Sequence, residues 1–221
     1  MISFLKEGKI LKNNNKNNKI KEPMLYIIVR PIITLLFKIL FHPRIIGRNN
    51  IPMNGSVVLG GNHTSNLDCL LLISSTKRKI HFLAKDSLIK GKFGFIFKSM
   101  GIIPVNRKIH DGGALIAAKN ILNQQKAIGI FPESTINRSN DLILPFKIGC
   151  VKMAHDTNSP IVPFVIKGKY SIFGKSVSIE FFKPYIPTDA NLDDENNKFM
   201  NLIKKELRKE KWNGNTRYEI F

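Results

Sequence analysis

The chain has 221 residues, 43% of them apolar, and 35 Lys and Arg stand against 16 Asp and Glu for a formal net charge of +19. That length suits one domain with a full core, the apolar share excludes a disordered chain, and the charge favours a polyanionic partner, either nucleic acid or an anionic membrane surface. Two cysteines, Cys69 and Cys150, exclude a disulfide framework and fit a reducing compartment.

In chain order, residues 1–22 read as a flexible basic N-terminal segment. Lys12 to Lys19 (KNNNKNNK) is polar, low in complexity and without a face to bury. Residues 1–23 lack the continuous apolar core of a secretory signal. Residues 23–48 read as a membrane-associated helical segment. Met24 to Phe41 is the most apolar stretch, interrupted by Arg30, Pro31, Thr34 and Lys38. A clean transmembrane helix needs about 20 apolar residues, and this stretch falls short. On a helix Arg30, Thr34 and Lys38 form a narrow polar stripe at i, i+4 and i+8. Such a helix lies in the headgroup layer with its basic stripe toward phosphate, or packs on the domain with its basic residues snorkelling; the first is expected. Pro31 is expected to kink the helix or divide it in two. Residues 1–48 hold ten Lys and Arg against two Glu, and each basic residue near an anionic leaflet contributes about 1 kcal/mol. Lys90 to Lys98 (KGKFGFIFK) repeats the pattern of lysines around phenylalanines.

Residues 49–221 read as one domain, in which strand and helix patterns alternate from residue 55 onward. Strands are expected over 56–61, 80–84, 102–105, 127–131, 161–166 and 176–182. Helices are expected over 66–75, 86–99, 111–124, 145–156 and 192–211. The last has Phe199, Leu202, Ile203 and Leu207 on one side. The alternation predicts a single α/β domain with a central, largely parallel sheet flanked by helices.

The first strand runs into Asn62-His63-Thr64-Ser65-Asn66-Leu67-Asp68. His is the side chain that takes and returns a proton near neutral pH, and an Asp bonded to its far nitrogen fixes the tautomer and stabilises the imidazolium. Two residues five apart on a regular helix would face about 140° apart, so the pair forms only with His63 in the turn and Asp68 in the first helical turns. Thr64, Ser65 and Asn66 are all suitable N-caps for that helix. Spacing alone does not separate a catalytic pair from an exposed or structural one. Three further segments follow: Gly101-Ile102-Ile103-Pro104-Val105-Asn106-Arg107, then Phe131-Pro132-Glu133-Ser134-Thr135, then Ile161-Val162-Pro163-Phe164-Val165.

In this order the four segments resemble the four blocks of the glycerolipid acyltransferase family, which includes the 1-acyl-glycerol-3-phosphate (lysophosphatidate) acyltransferases. The resemblance runs from about Pro31 to about Tyr185. It implies transfer of a fatty acyl group from a thioester of acyl carrier protein or coenzyme A to the sn-2 hydroxyl of a lysophospholipid, giving phosphatidate for phospholipid synthesis. No cofactor is implied beyond that donor. His63 would take the acceptor's proton, Asp68 would orient and stabilise it, and Asn62 would help fix the loop. Oxyanion donors are expected from backbone N–H groups near 104–107 or at the helix after His63. Arg107 would fork onto the acceptor phosphate, assisted by Lys85.

The second block departs from its common form at Pro104 and Asn106. The third departs further. Ser134 replaces a glycine that an unusual backbone angle or close approach would require, and Ile136 replaces an arginine, for which Arg138 would compensate. Ser134 and Thr135 would support the site. Glu133 has two open roles, tying the loop down or meeting substrate. Cys69, beside Asp68, is better read as a small buried hydrophobe than as a nucleophile.

The expected partners are therefore membrane lipid, lysophosphatidate in particular, with acyl carrier protein or a coenzyme A thioester, at the cytoplasmic face of the cell membrane. Nucleic acid is not expected, because Phe and Leu crowd the basic N-terminal helix where a groove-reading helix would be polar. Some of the lysines also fit AT-rich coding. The alternatives are the same chemistry on another lysolipid acceptor, or a non-enzymatic basic protein that binds membrane or nucleic acid.

Overall fold

Val57, Val58 and Leu59 are all fully buried, yet successive side chains of a strand point to opposite faces, so this strand is covered on both sides. A computed structural model describes residues 24–91, 94, 101–105, 112–174, 177–188 and 190–209, and it shows the covering layers. The strands are β1 (Arg44–Ile46), β2 (Val57–Gly61), β3 (Ile80–Lys85), β4 (Ile103–Val105), β5 (Ala127–Ile130), β6 (Ile161–Gly168) and β7 (Val177–Phe181). They form one sheet in the order β1-β7-β6-β2-β5-β3-β4. Every pairing is parallel except β6 with β7.

The helices are α1 (Met24–Phe41), α2 (Asp68–Ser75), α3 (Asp86–Lys90), α4 (Gly112–Asn123), α5 (Gly149–Asp156) and α6 (Leu192–Arg208). On one face, Val57 and Leu59 join Tyr26 and Phe37 of α1 and Leu71 and Leu72 of α2. On the other, Val58 joins Leu122 of α4, Val151 of α5 and Phe199 of α6. The result is the α/β arrangement expected from the alternation of elements.

Boundaries differ where tertiary contacts outvote local pattern. The helix expected from 145 begins at Gly149, because the Leu144 and Lys147 N–H groups are bound to Glu133 Oε2 and the Pro132 carbonyl, holding that stretch as a tied loop. Of the helix expected over 86–99, α3 covers Asp86–Lys90, and most of the remainder lies outside the described residues. Residues 1–23 and those after 209 lie outside them as well. Strand β1 was not anticipated; three residues are too few to show a period.

Pro31 does not divide helix α1, which runs as one helix from Met24 to Phe41. Its Tyr26 and Phe37 lie in the shared core, and β1, which follows it, is a strand of the sheet. The basic stripe does not point outward as a whole. Arg30 Nε donates to the Thr76 carbonyl at 2.9 Å, so this part of the stripe faces the domain, while Thr34 Oγ1 bonds back to the Arg30 carbonyl within the helix. What faces out is apolar: Ile27, Ile28, Ile32, Leu35, Leu36 and Ile39, alongside an exposed Lys38.

The turn after α2 is closed by a buried cation. Arg78 donates to the carbonyls of Pro52 (2.7 Å) and Gly55 (2.6 Å), with longer bonds to Asn54 and Gln125. Its own carbonyl accepts from the Tyr26 hydroxyl, tying α1 to the same corner.

Candidate active site

Strands β6, β2, β5, β3 and β4 run in one direction and end on one edge of the sheet, and the third-block loop and the fourth-block strand flank β2 there. Strand β2 ends in two glycines. A side chain at Gly61 would fall on the carbonyl oxygen and ring of Phe164, so the close approach of β2 and β6 requires its absence. Asn62 follows, buried. Its side-chain amide donates to the Ile166 carbonyl at 2.9 Å and accepts the Ile166 N–H at 2.7 Å, pinning the end of β2 to β6. His63 therefore leaves the sheet from a fixed point.

Four contacts hold His63. Its backbone N–H donates to Glu133 Oε1 at 2.7 Å, and its carbonyl accepts from the Asn137 N–H at 2.9 Å. Its ring stacks on Phe131 with centroids 4.1 Å apart and planes at 15°. Nδ1 lies 2.8 Å from Asp68 Oδ2. A carboxylate only accepts, so Nδ1 carries the proton and Nε2 of the neutral ring keeps a lone pair. The side chain is 16% exposed, so the ring is fixed yet reachable.

Asp68 is fully buried and is the first residue of α2. Oδ2 also accepts the N–H groups of Thr64 (2.6 Å) and Ser65 (2.8 Å), while Oδ1 accepts the hydroxyls of Tyr170 (2.7 Å) and Thr64 (3.2 Å). This corrects the capping expectation. None of Thr64, Ser65 and Asn66 caps α2; Leu67 holds that position without a side-chain bond. The carboxylate of Asp68 instead draws the preceding turn around itself. The Thr64 and Ser65 N–H groups are thereby committed to Asp68 and are not free to serve as oxyanion donors.

Glu133 is buried. Its two carboxylate oxygens accept the His63 and Leu144 N–H groups, each at 2.7 Å, so it is a tie between the third-block loop and the histidine. Burial raises its carboxyl above the ordinary value, although the two N–H bonds and His63 pull the other way. Ser134 has φ 60, the left-handed region in which glycine is at ease, and its N–H closes a turn onto the Phe131 carbonyl. Thr135 and Arg138 are exposed and Ile136 is half-buried. Arg138 follows Asn137, the residue whose N–H is bonded to the His63 carbonyl. Lys85 ends β3, two strands from β2 and so about 10 Å across the sheet. Arg107 and Asn106 lie outside the described residues. The Cys69 thiol is pushed up to about 12 by burial and by the charge of Asp68, so it stays protonated and is a poor nucleophile.

Two contributors were not given a role from the sequence. Phe131 belongs to the Phe-Pro-Glu segment, but its stacking on His63 needs the β2–β5 pairing to be known. Tyr170 stands 102 residues from Asp68, in a stretch with no motif.

A histidine locked by a buried carboxylate at the C-terminal edge of a parallel sheet defines a proton-transfer site able to activate a hydroxyl. The chain belongs to the acyltransferase family, whose model matches residues 42–167, more than half of its length. It is 34% identical over 134 residues to the 1-acyl-sn-glycerol-3-phosphate acyltransferase of Borreliella burgdorferi, covering 59% of this chain and 53% of that protein. It is 31% identical over 134 residues to the human 1-acyl-sn-glycerol-3-phosphate acyltransferase alpha, covering 58% of this chain and 47% of that protein. The chain thus spans about half the length of the curated relatives it matches. The crystal structure of the 1-acyl-sn-glycerophosphate (LPA) acyltransferase PlsC from Thermotoga maritima shares the fold, with a TM-score of 0.65 at 18% identity, covering 92% of this chain and 88% of that one.

Proposed function

We propose that this protein transfers a fatty acyl group from a thioester to the sn-2 hydroxyl of 1-acyl-glycerol-3-phosphate, forming phosphatidate. The observation that carries the reading is the His63–Asp68 pair, with Nδ1 fixed at 2.8 Å and Nε2 left to take a proton. As the hydroxyl oxygen attacks the thioester carbonyl, Nε2 receives the hydroxyl proton and Asp68 stabilises the imidazolium. When the tetrahedral intermediate collapses the carbon–sulfur bond breaks, and the imidazolium returns the proton to the leaving thiolate. The products are phosphatidate and a free thiol. A thioester is already activated, so no covalent enzyme intermediate is needed.

Arg138, Arg107 and Lys85 would meet the acceptor phosphate. The relatives, named as 1-acyl-sn-glycerol-3-phosphate acyltransferases, support this acceptor. Acyl carrier protein and coenzyme A are both anionic, and the charge of +19 favours either as donor carrier. We place the protein at the cytoplasmic face of the cell membrane. Among the described residues no helix is long and apolar enough to cross a membrane. The outward apolar row of α1 is instead suited to lying in the headgroup layer. Ile136, standing where the resemblance expects arginine, favours one second reading, a shifted acceptor preference within the same chemistry.

The test supplies purified protein in anionic vesicles with lysophosphatidate or monoacylglycerol, each paired with acyl carrier protein and acyl-coenzyme A thioesters. Phosphatidate from lysophosphatidate, with monoacylglycerol a poor acceptor, is the expected result. Acylation of monoacylglycerol at an equal rate would refute the phosphate-recognising site.

A further inference from the structure

We propose that Tyr170 is a positioning residue for the His63–Asp68 pair, holding the outer oxygen of Asp68 from a seat built by helix α1. The inference rests on the reading of His63 as the base. The Tyr170 hydroxyl donates to Asp68 Oδ1 at 2.7 Å, on the oxygen that His63 does not use. Tyr170 follows β6, and its ring stands edge-on to two rings of α1: Phe37, with centroids 6.3 Å apart at 83°, and Phe41, at 5.6 Å and 86°. The same loop is tied to the end of α1 again, where the Phe173 N–H donates to the Leu40 carbonyl. Ring and hydroxyl thus link helix α1, which turns an apolar row outward, to the buried carboxylate of the site.

The hydroxyl is a donor throughout the working range, because burial and the charge of Asp68 hold the phenol well above its ordinary value. Its proton shares the negative charge of Asp68 and competes with the imidazole for it. Among the described residues the other titratable groups facing the pair are the Glu133 carboxyl, from the loop after β5, and the Cys69 thiol, on α2. Helix α1 contributes aromatic rings and no charge at this point. Removal of the Tyr170 hydroxyl therefore leaves the charge of Asp68 less shared. The imidazolium becomes better stabilised, and the acid limb of the rate profile moves to higher pH.

The experiment is Tyr170→Phe, which keeps the ring in its seat and deletes only the donor. The His63 imidazole is titrated by heteronuclear NMR, and kcat/KM is followed against pH in anionic vesicles. The midpoint and the acid limb are expected to move up together by about half a unit or more. Phe41→Leu, which keeps the hydroxyl and loosens its seat, is expected to move the midpoint the same way by less. A His63 midpoint unmoved in Tyr170→Phe overturns the proposal, even if the variant is less stable or less active. An unmoved midpoint in Phe41→Leu alone overturns the seating by α1. The NMR titration needs no turnover, so it judges Tyr170 even where the proposed acyl transfer fails.

Discussion

Asp68→Asn separates the structural duty of Asp68 from its electrostatic one. The carboxylate receives five donors: the Thr64 and Ser65 N–H groups and His63 Nδ1 on Oδ2, and the Thr64 and Tyr170 hydroxyls on Oδ1. An amide oxygen in the place of Oδ2 keeps the first three. The amide NH2 then faces two hydroxyls, which can turn and accept. The fold should survive with a loss of about 1–2 kcal/mol, and the histidine tautomer should be kept. What disappears is the charge. A carboxylate and an imidazolium with centres about 4 Å apart attract by about 4 kcal/mol at an effective dielectric near 20. That corresponds to a fall in kcat of up to about a thousandfold, with KM little changed. Asp68→Ala, by contrast, strands buried N–H groups and should lose several times more stability than Asp68→Asn. The assay is phosphatidate formation in anionic vesicles, with thermal unfolding followed in parallel. An Asp68→Asn variant within tenfold of wild type would refute the electrostatic role. Equal destabilisation by Asn and Ala would refute the account of how the five donors are satisfied.

Three further predictions concern the scaffold. Arg78→Met keeps the side-chain stem but leaves the Pro52 and Gly55 carbonyls without their donor; it should cost about 3 kcal/mol in denaturant unfolding, and a loss below about 1 kcal/mol would contradict the assignment. Ser134→Gly releases a left-handed residue at φ 60 and should stabilise by up to about 1 kcal/mol once the freer unfolded glycine is counted; a lower unfolding midpoint would count against strain there. Burial pushes the Asp156 carboxyl up, but the hydrogen bond and charge of Lys119, with Lys152, outweigh it and hold the carboxyl below its ordinary value. Its contribution is present above the unfolded-state value and is lost as pH falls through the folded one. Asp156→Asn should therefore cost about 0.5–1 kcal/mol near neutrality, and the difference from wild type should vanish in acid. A difference independent of pH would overturn this.

The strand-to-helix turn at His63 was legible because local chemistry writes it: a continuous apolar run, then polar residues, then an Asp at the start of a helix. The sheet was legible for the same reason, since doubly covered parallel strands read as short apolar runs between helices. The face of α1 was not. Its polar stripe was read as outward, yet Arg30 finds the Thr76 carbonyl, a partner 46 residues away that no periodicity reveals. The cap of α2 was misassigned because Thr64 and Ser65 look like caps one residue at a time, whereas the acceptor that organises them is Asp68. Ser134 was legible only as a departure from a glycine pattern, and its φ of 60 gives that departure its physical meaning. Phe131 and Tyr170 reach the site through strand pairing and loop packing, which sequence alone does not supply.

The most direct test of the central claim compares wild type with His63→Ala in anionic vesicles holding lysophosphatidate, each with acyl carrier protein and acyl-coenzyme A thioesters. The His63–Asp68 account predicts phosphatidate from wild type, and from the variant a rate lower by at least about a thousandfold with vesicle binding unchanged. Turnover by His63→Ala near the wild-type rate would contradict it.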